Sequence, residues 1–111
     1  MITKAEIVTA LKNVEDPEIG INIVDLGLVY GLDWDEELRK VFVELTLTSP
    51  GCPLGPEIMR NIKRELRALD EVNEVDVDLV WRPLWNPAMM SEEAKEEVGY
   101  DEEFGLGLGY Y

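Results

Sequence analysis

The chain has 111 residues, with 24 Asp and Glu against ten Lys and Arg, a formal charge of −14, one Cys and no His. That length suits one domain whose core can form without disulfides or a structural metal, and a lone thiol excludes an internal disulfide and fits a reducing compartment. The charge repels phosphate backbones and anionic lipid, which argues against nucleic-acid and membrane binding. The lack of His removes Ser-His and Cys-His nucleophile arrangements and His-containing zinc sites.

The residues from Met1 to Glu6 lack the basic-then-apolar layout of a signal peptide, and no apolar run approaches the roughly 18–20 residues of a membrane span. A cytoplasmic protein is expected. Thr3-Lys4-Ala5-Glu6 has the pattern of a capping box, with Ile2 and Ile7 placed as its hydrophobic staple. Ile7, Leu11 and Val14 continue at helical spacing, and Asp16-Pro17 is expected to stop this helix because the residue before proline is pushed out of the α region.

Leu28 to Trp34 reads as a strand with Leu28, Tyr30, Leu32 and Trp34 on one face, turning at Asp35–Leu38 into a second strand. There Val41, Val43, Leu45 and Leu47 alternate with Phe42, Glu44, Thr46 and Thr48, the pattern of a half-buried strand. Ser49-Pro50-Gly51-Cys52-Pro53 breaks the sheet. A second helix follows with the apolar stripe Ile58, Ile62, Leu66 and Leu69, and Val75, Val77, Leu79 and Trp81 mark a third strand. Arg82-Pro83-Leu84-Trp85-Asn86-Pro87 cannot be a helix interior, since two prolines interrupt it. Ser91-Glu92-Glu93 opens a short last helix that Gly99 can end.

The expected fold is therefore α+β, a two-layer α/β sandwich in the order α-β-β-α-β plus a short C-terminal helix, with helices on one face of a small mixed sheet. Residues 1–99 form the domain, and 100–111 are a Gly/Leu/Tyr tail expected to pack on the domain or on a dimer partner.

Cys52 is the candidate centre of any chemistry. Its prolines fix backbone dihedrals, Gly51 permits close approach, and a helix start lies within about one turn. If Pro53 is the first helical residue, Cys52 is the N-cap; if Gly55 caps and Pro56 comes first, Cys52 lies three residues upstream. Either placement favours thiolate, with Thr48 and Ser49 as hydrogen-bond donors, while Glu57 and the overall charge oppose it. The bland alternative is a small buried hydrophobe. Asp16, Glu18 and Asp25 are either oxygen ligands and hydrogen-bond acceptors or ordinary turn chemistry. Asp25 is the better functional candidate because it sits in an apolar stretch. Trp81, Trp85, Met89 and Met90 are expected to cover the open end of the sheet.

Asp16-Pro17-Glu18, Asn22 to Tyr30, Leu47-Thr48-Ser49-Pro50-Gly51-Cys52-Pro53, Val75-Asp76-Val77, Trp81 to Trp85 and Met90-Ser91 together resemble the metal–sulfur cluster biosynthesis (iron–sulfur cluster assembly) domain family, which includes SufT-like and PaaD-like proteins. The resemblance spans about Ala5 to Ala94. It implies a two-layer α/β homodimer acting as an accessory factor, not an enzyme, in assembly or delivery of iron–sulfur clusters. The implied partners are apo iron–sulfur proteins and cluster-assembly or carrier proteins.

It also implies Cys52 as a transient ligand of iron or a cluster, with Asp25, Thr48, Ser49, Gly51 and Pro53 supporting its loop. PaaD-like members carry an extra cysteine-bearing C-terminal segment, whereas no Cys follows Cys52 here. That favours a SufT-like role over service to a phenylacetyl-CoA epoxidase-type system. Clusters take four ligands, mostly thiolates, so a single chain with one thiol and no imidazole holds none stably. Two other classes stay open: an adaptor that binds a cluster-carrier ATPase through its acidic surface, and a thiol enzyme with Cys52 as nucleophile.

Overall fold

A computed structural model describes residues 2–48 and 54–100. Helix α1 (Lys4–Leu11) starts as its sequence dictates. Thr3 accepts from the Glu6 amide, Glu6 reaches back to the Thr3 amide, and the flanking Ile2 and Ile7 are both buried. The helix stops at Leu11, four residues before the proline-based stop. Asn13 and Val14 tighten the chain onto Ala10 and Leu11 instead, and the Val14 carbonyl accepts from Ile23 at 2.9 Å. That long-range bond diverts the segment into a two-residue ribbon, β1 (Glu15–Asp16) antiparallel to β2 (Ile21–Asn22), which periodicity did not reveal.

The main sheet has the order β3-β4-β5, from β3 (Val29–Asp35), β4 (Lys40–Leu45) and β5 (Glu74–Leu79). β3 and β4 are antiparallel, whereas β4 and β5 are parallel and joined across α2 (Gly55–Arg67), so the sheet is mixed as expected. Val41, Val43 and Leu45 with Val75 and Val77 form a buried face. Against it lie α1 and α2, the latter through Ile58, Ile62 and Leu66, all fully buried and each stabilising by about 1.5–3 kcal/mol.

One face assignment needs correction. Val29 pairs with Leu45 but Gly31 pairs with Glu44, so β3 spends two residues where β4 spends one. This bulge inverts the alternation: Val29, Leu32 and Trp34 share the inner face, and Tyr30 is the extra residue, turned out of the row predicted for it.

The other face carries Asp33, Asp35, Lys40, Phe42, Glu44, Glu74, Asp76 and Asp78 by register. Lys40 is the cation among these strand residues. Its Nζ lies 2.9 Å from Glu74 and 4.0 Å from Asp76, above the Phe42 ring. The Glu74 hydrogen bond holds the ammonium above its ordinary range, and the same bond holds the Glu74 carboxyl below its own.

Beyond β5, a 3-10 turn (Pro87–Met89) leads to α3 (Glu92–Val98), which Ser91 caps and Gly99 ends at φ 72° in the left-handed region. Trp85 and Met90 join the core, while Trp81 and Met89 pack partly buried against it. Residues 101–111 of the tail lie outside the described residues.

Candidate functional site

The carboxyl ends of the parallel strands β4 and β5 lie together, because α2 carries the chain back to start β5 beside β4. The Val80 amide extends their ladder by donating to Leu45 O at 2.8 Å. In open α/β sheets, this edge is where ligands are met. Here it opens into a cleft of about 610 Å³ between the start of β3, the end of β4 and the segment after β5.

Tyr30 stands in the cleft because of the bulge, its hydroxyl donating to Pro83 O at 2.8 Å with Met89 Sδ at 3.4 Å. Gly31 leaves room for the Glu44 carboxylate to lie across β3. Glu44 and Arg82 line the same cleft, and neither forms an ion pair among the described residues, so the cleft presents a carboxylate and a guanidinium.

The stretch from Asn22 to Leu28 places Gly27 in the cleft wall and is tied down at several points. Asn22 and Asp25 bond reciprocally: Asn22 Nδ2 donates to Asp25 Oδ2 at 2.7 Å, and the Asp25 amide donates to Asn22 Oδ1 at 2.9 Å. The Asp25 carbonyl accepts from the Ser91 amide at 2.7 Å, and the Leu26 carbonyl from Trp85 Nε1 at 2.7 Å. Gly27, at φ +79°, presses on the Met89 backbone so closely that a Cβ would sit 2.5 Å from Met89 O. The half-buried Asp25 thus locks the wall together as a hydrogen-bond acceptor. Asp16 does turn work: its carboxylate accepts from the Glu18 amide at 2.9 Å, and its carbonyl from Ile19 and Gly20. Among the described residues, no three Cys, His, Asp or Glu side chains gather as a metal site.

At the same edge the chain leaves β4. Thr46 is fully buried, its amide bonded to Leu28 O at 2.8 Å and its hydroxyl without a partner among the described residues. Thr48 is half-buried. Ser49, Gly51, Cys52 and Pro53 lie outside the described residues.

On the far side, Leu54 is the N-cap of α2, with Gly55 first in the helix and Pro56 next. Neither predicted start applies, and the Leu54 side chain makes no cap bond. Leu47 and Gly55, one on each side of Cys52, are in contact: a Cβ at 55 would lie 2.9 Å from Leu47 Cδ1. The described chain therefore leaves β4 and enters α2 at neighbouring points.

Sequence reasoning singled out Asp25 and Thr48 here but missed Tyr30, Glu44, Thr46 and Arg82. Glu44 and Thr46 read as outward positions of an alternating strand, and Tyr30 was hidden by the bulge. The visible signal was Gly27, a glycine inside an apolar stretch.

The chain matches the model of a family described as iron–sulfur cluster assembly protein over residues 4–77. It is 46% identical over 96 residues to the Fe-S protein maturation auxiliary factor YitW of Bacillus subtilis, covering 86% of this chain and 93% of that one. It is also 46% identical over 84 residues to the Fe-S protein maturation auxiliary factor SufT of Staphylococcus aureus, covering 76% and 94%. A solved domain of unknown function, DUF59, from Bacillus anthracis superposes with a TM-score of 0.82 at 39% identity, over 87% of this chain and 92% of that one.

Proposed function

Because the chain belongs to the iron–sulfur cluster assembly protein family, we propose that it is an accessory factor in the assembly of iron–sulfur clusters or their delivery to apo-proteins, with Cys52 as a transient ligand of the cargo. The observation that carries this reading is the place of the sole thiol in the chain. In the sequence Cys52 lies between the end of β4 and the start of α2, and the residues Leu47 and Gly55 on either side of it are in contact, which supports this reading.

One thiolate supplies one of about four cluster ligands, and the chain has no imidazole to supply another. The remaining ligands come from a second copy of the chain, the client or small thiols. A site so short of ligands releases its cargo readily, which suits handover better than storage. The protein works without turnover chemistry of its own, as a homodimer in the cytoplasm, with apo iron–sulfur proteins and cluster-assembly proteins as partners. Asp25 positions the wall of the cleft, and Thr48, Ser49, Gly51 and Pro53 shape the approach to the thiol.

The test is anaerobic reconstitution with iron and sulfide, followed by transfer to an apo hydro-lyase, comparing wild type with Cys52→Ala. The reading expects cluster absorbance at one per dimer, and transfer that falls at least about tenfold in the variant. Equal transfer by a folded Cys52→Ala protein overturns it. The acidic outer face of the sheet supports a second reading, an adaptor that recruits a basic partner; on that reading Cys52→Ser retains both partner and transfer.

A further inference from the structure

Helix α2 turns two chemically opposite faces to its surroundings. Ile58, Ile62 and Leu66 bury one face on the sheet, while Arg60, Lys63, Arg64 and Arg67 recur at i, i+3, i+4 and i+7 on the other. Arg60, Arg64 and Arg67 are exposed, Lys63 is half-buried, and together with Asn61 and Ala68 they line one shallow depression. Four of the chain's ten cations thus share a stripe about 10 Å long.

The rest of the molecule makes this stripe anomalous. Elsewhere Lys4 pairs with Asp33, Lys40 with Glu74 and Asp76, and Lys95 with Glu92, while Arg39 bonds the Asp70 and Glu71 carbonyls. None of the four α2 cations forms an ion pair among the described residues, although the chain has 24 carboxylates; Arg67 acts on Glu74 only through space. The helix dipole favours Arg64 and Arg67 in the last turn but offers nothing to Arg60 and Lys63 in the middle. Like charges at i+3 and i+4 disfavour the helix, so the stripe persists against its own repulsion.

We propose that the cationic face of α2 is a docking site for a short acidic segment of a partner protein, and this holds whether or not Cys52 ligates a cluster. Charge complementarity selects that occupant. A short carboxylate-bearing peptide fits within the stripe, whereas a nucleic-acid backbone runs past it into a surface where six cations face 24 carboxylates.

The probe is a short fluorescein-labelled peptide of Glu, Asp and Ser, followed by anisotropy across a salt series, with a single-stranded oligonucleotide of equal charge alongside. Wild type is expected to bind the peptide, more weakly as salt rises. The Arg60→Gln/Lys63→Gln/Arg64→Gln/Arg67→Gln protein should bind at least about tenfold more weakly. Arg60→Gln/Arg64→Gln should fall between, and Lys4→Gln/Lys12→Gln should match wild type. Circular dichroism confirms folding, and the double variant carries the test if the quadruple variant unfolds. No detectable peptide binding by wild type, binding unchanged by removing the four charges, tighter binding of the oligonucleotide, or a change of oligomeric state in place of peptide binding each overturns the proposal.

Discussion

Replacing Gly27 with Ala probes how the cleft wall is held. Gly27 and Gly20 have the same φ of +79°, so an added Cβ meets the same left-handed backbone penalty at both, about 1–2 kcal/mol. Their surroundings differ. A Cβ at Gly20 meets nothing within 4 Å, whereas one at Gly27 sits 2.5 Å from Met89 O and 3.0 Å from Met89 C. Those are backbone atoms, so the segment after β5 must retreat.

Retreat strains three bonds that bind this segment to the rest of the site: Ser91 N to Asp25 O, Trp85 Nε1 to Leu26 O, and Tyr30 Oη to Pro83 O. At about 1 kcal/mol for each bond weakened, added to the backbone penalty, Gly27→Ala should cost about 4–5 kcal/mol in all. That corresponds to a fall in Tm of about 20–25 °C, against about 5–10 °C for Gly20→Ala. Thermal unfolding by circular dichroism reads both, and urea titration gives the difference in free energy. If the two variants lose the same stability within about 0.5 kcal/mol, the contact with Met89 is not what requires glycine at this position, and the account of the wall fails.

Trp85→Phe keeps a six-membered aromatic ring but removes the indole N–H that bonds the Leu26 carbonyl; urea denaturation should show a loss of about 1–3 kcal/mol, and a loss below about 0.5 kcal/mol contradicts the assignment. Thr46→Val removes a buried hydroxyl that lacks a partner among the described residues, and is expected to stabilise by about 1 kcal/mol; destabilisation in urea titration contradicts this. The Lys40–Glu74 pair sets two pH limits. Because the folded state depresses Glu74, its contribution is present above the ordinary 4.5 and is lost as pH falls through the lower folded value; because it raises Lys40, that contribution is lost as pH climbs past 10.5. Lys40→Met should therefore be less stable than wild type at neutral pH, with the gap closing at both extremes, and a constant gap across pH refutes the pairing.

The elements that could be read in advance are those specified by neighbours in sequence. Thr3 with Glu6 starts α1, Ser91 with Gly99 bounds α3, and the β4–α2–β5 unit follows from a switch between periods of two and 3.6. The bulge was illegible because alternation within β3 says nothing about the count on β4, so Tyr30 was assigned to the wrong face. The start of α2 was misjudged for a related reason: two prolines each offered an N-terminal position, and the helix takes Leu54 as its N-cap despite its having no capping side chain. Asp25 was marked as a carboxylate in an apolar stretch, and its partner Asn22, three residues earlier, was there to be read as local side-chain chemistry. The cleft gathers Gly27, Tyr30, Glu44, Arg82 and Met89 from four separate parts of the chain, which no local pattern encodes.

The bulge in β3 also separates two kinds of tolerance to change. Without Tyr30, Val29 and Gly31 would be consecutive and would pair with Leu45 and Glu44 as an uninterrupted antiparallel ladder. A chain one residue shorter at this point satisfies the sheet as well as the present one does, yet loses the phenol that spans the cleft to Pro83. The ladder itself does not require that residue. What the extra residue serves is the mouth of the cleft and the segment after β5, not the pairing of the sheet.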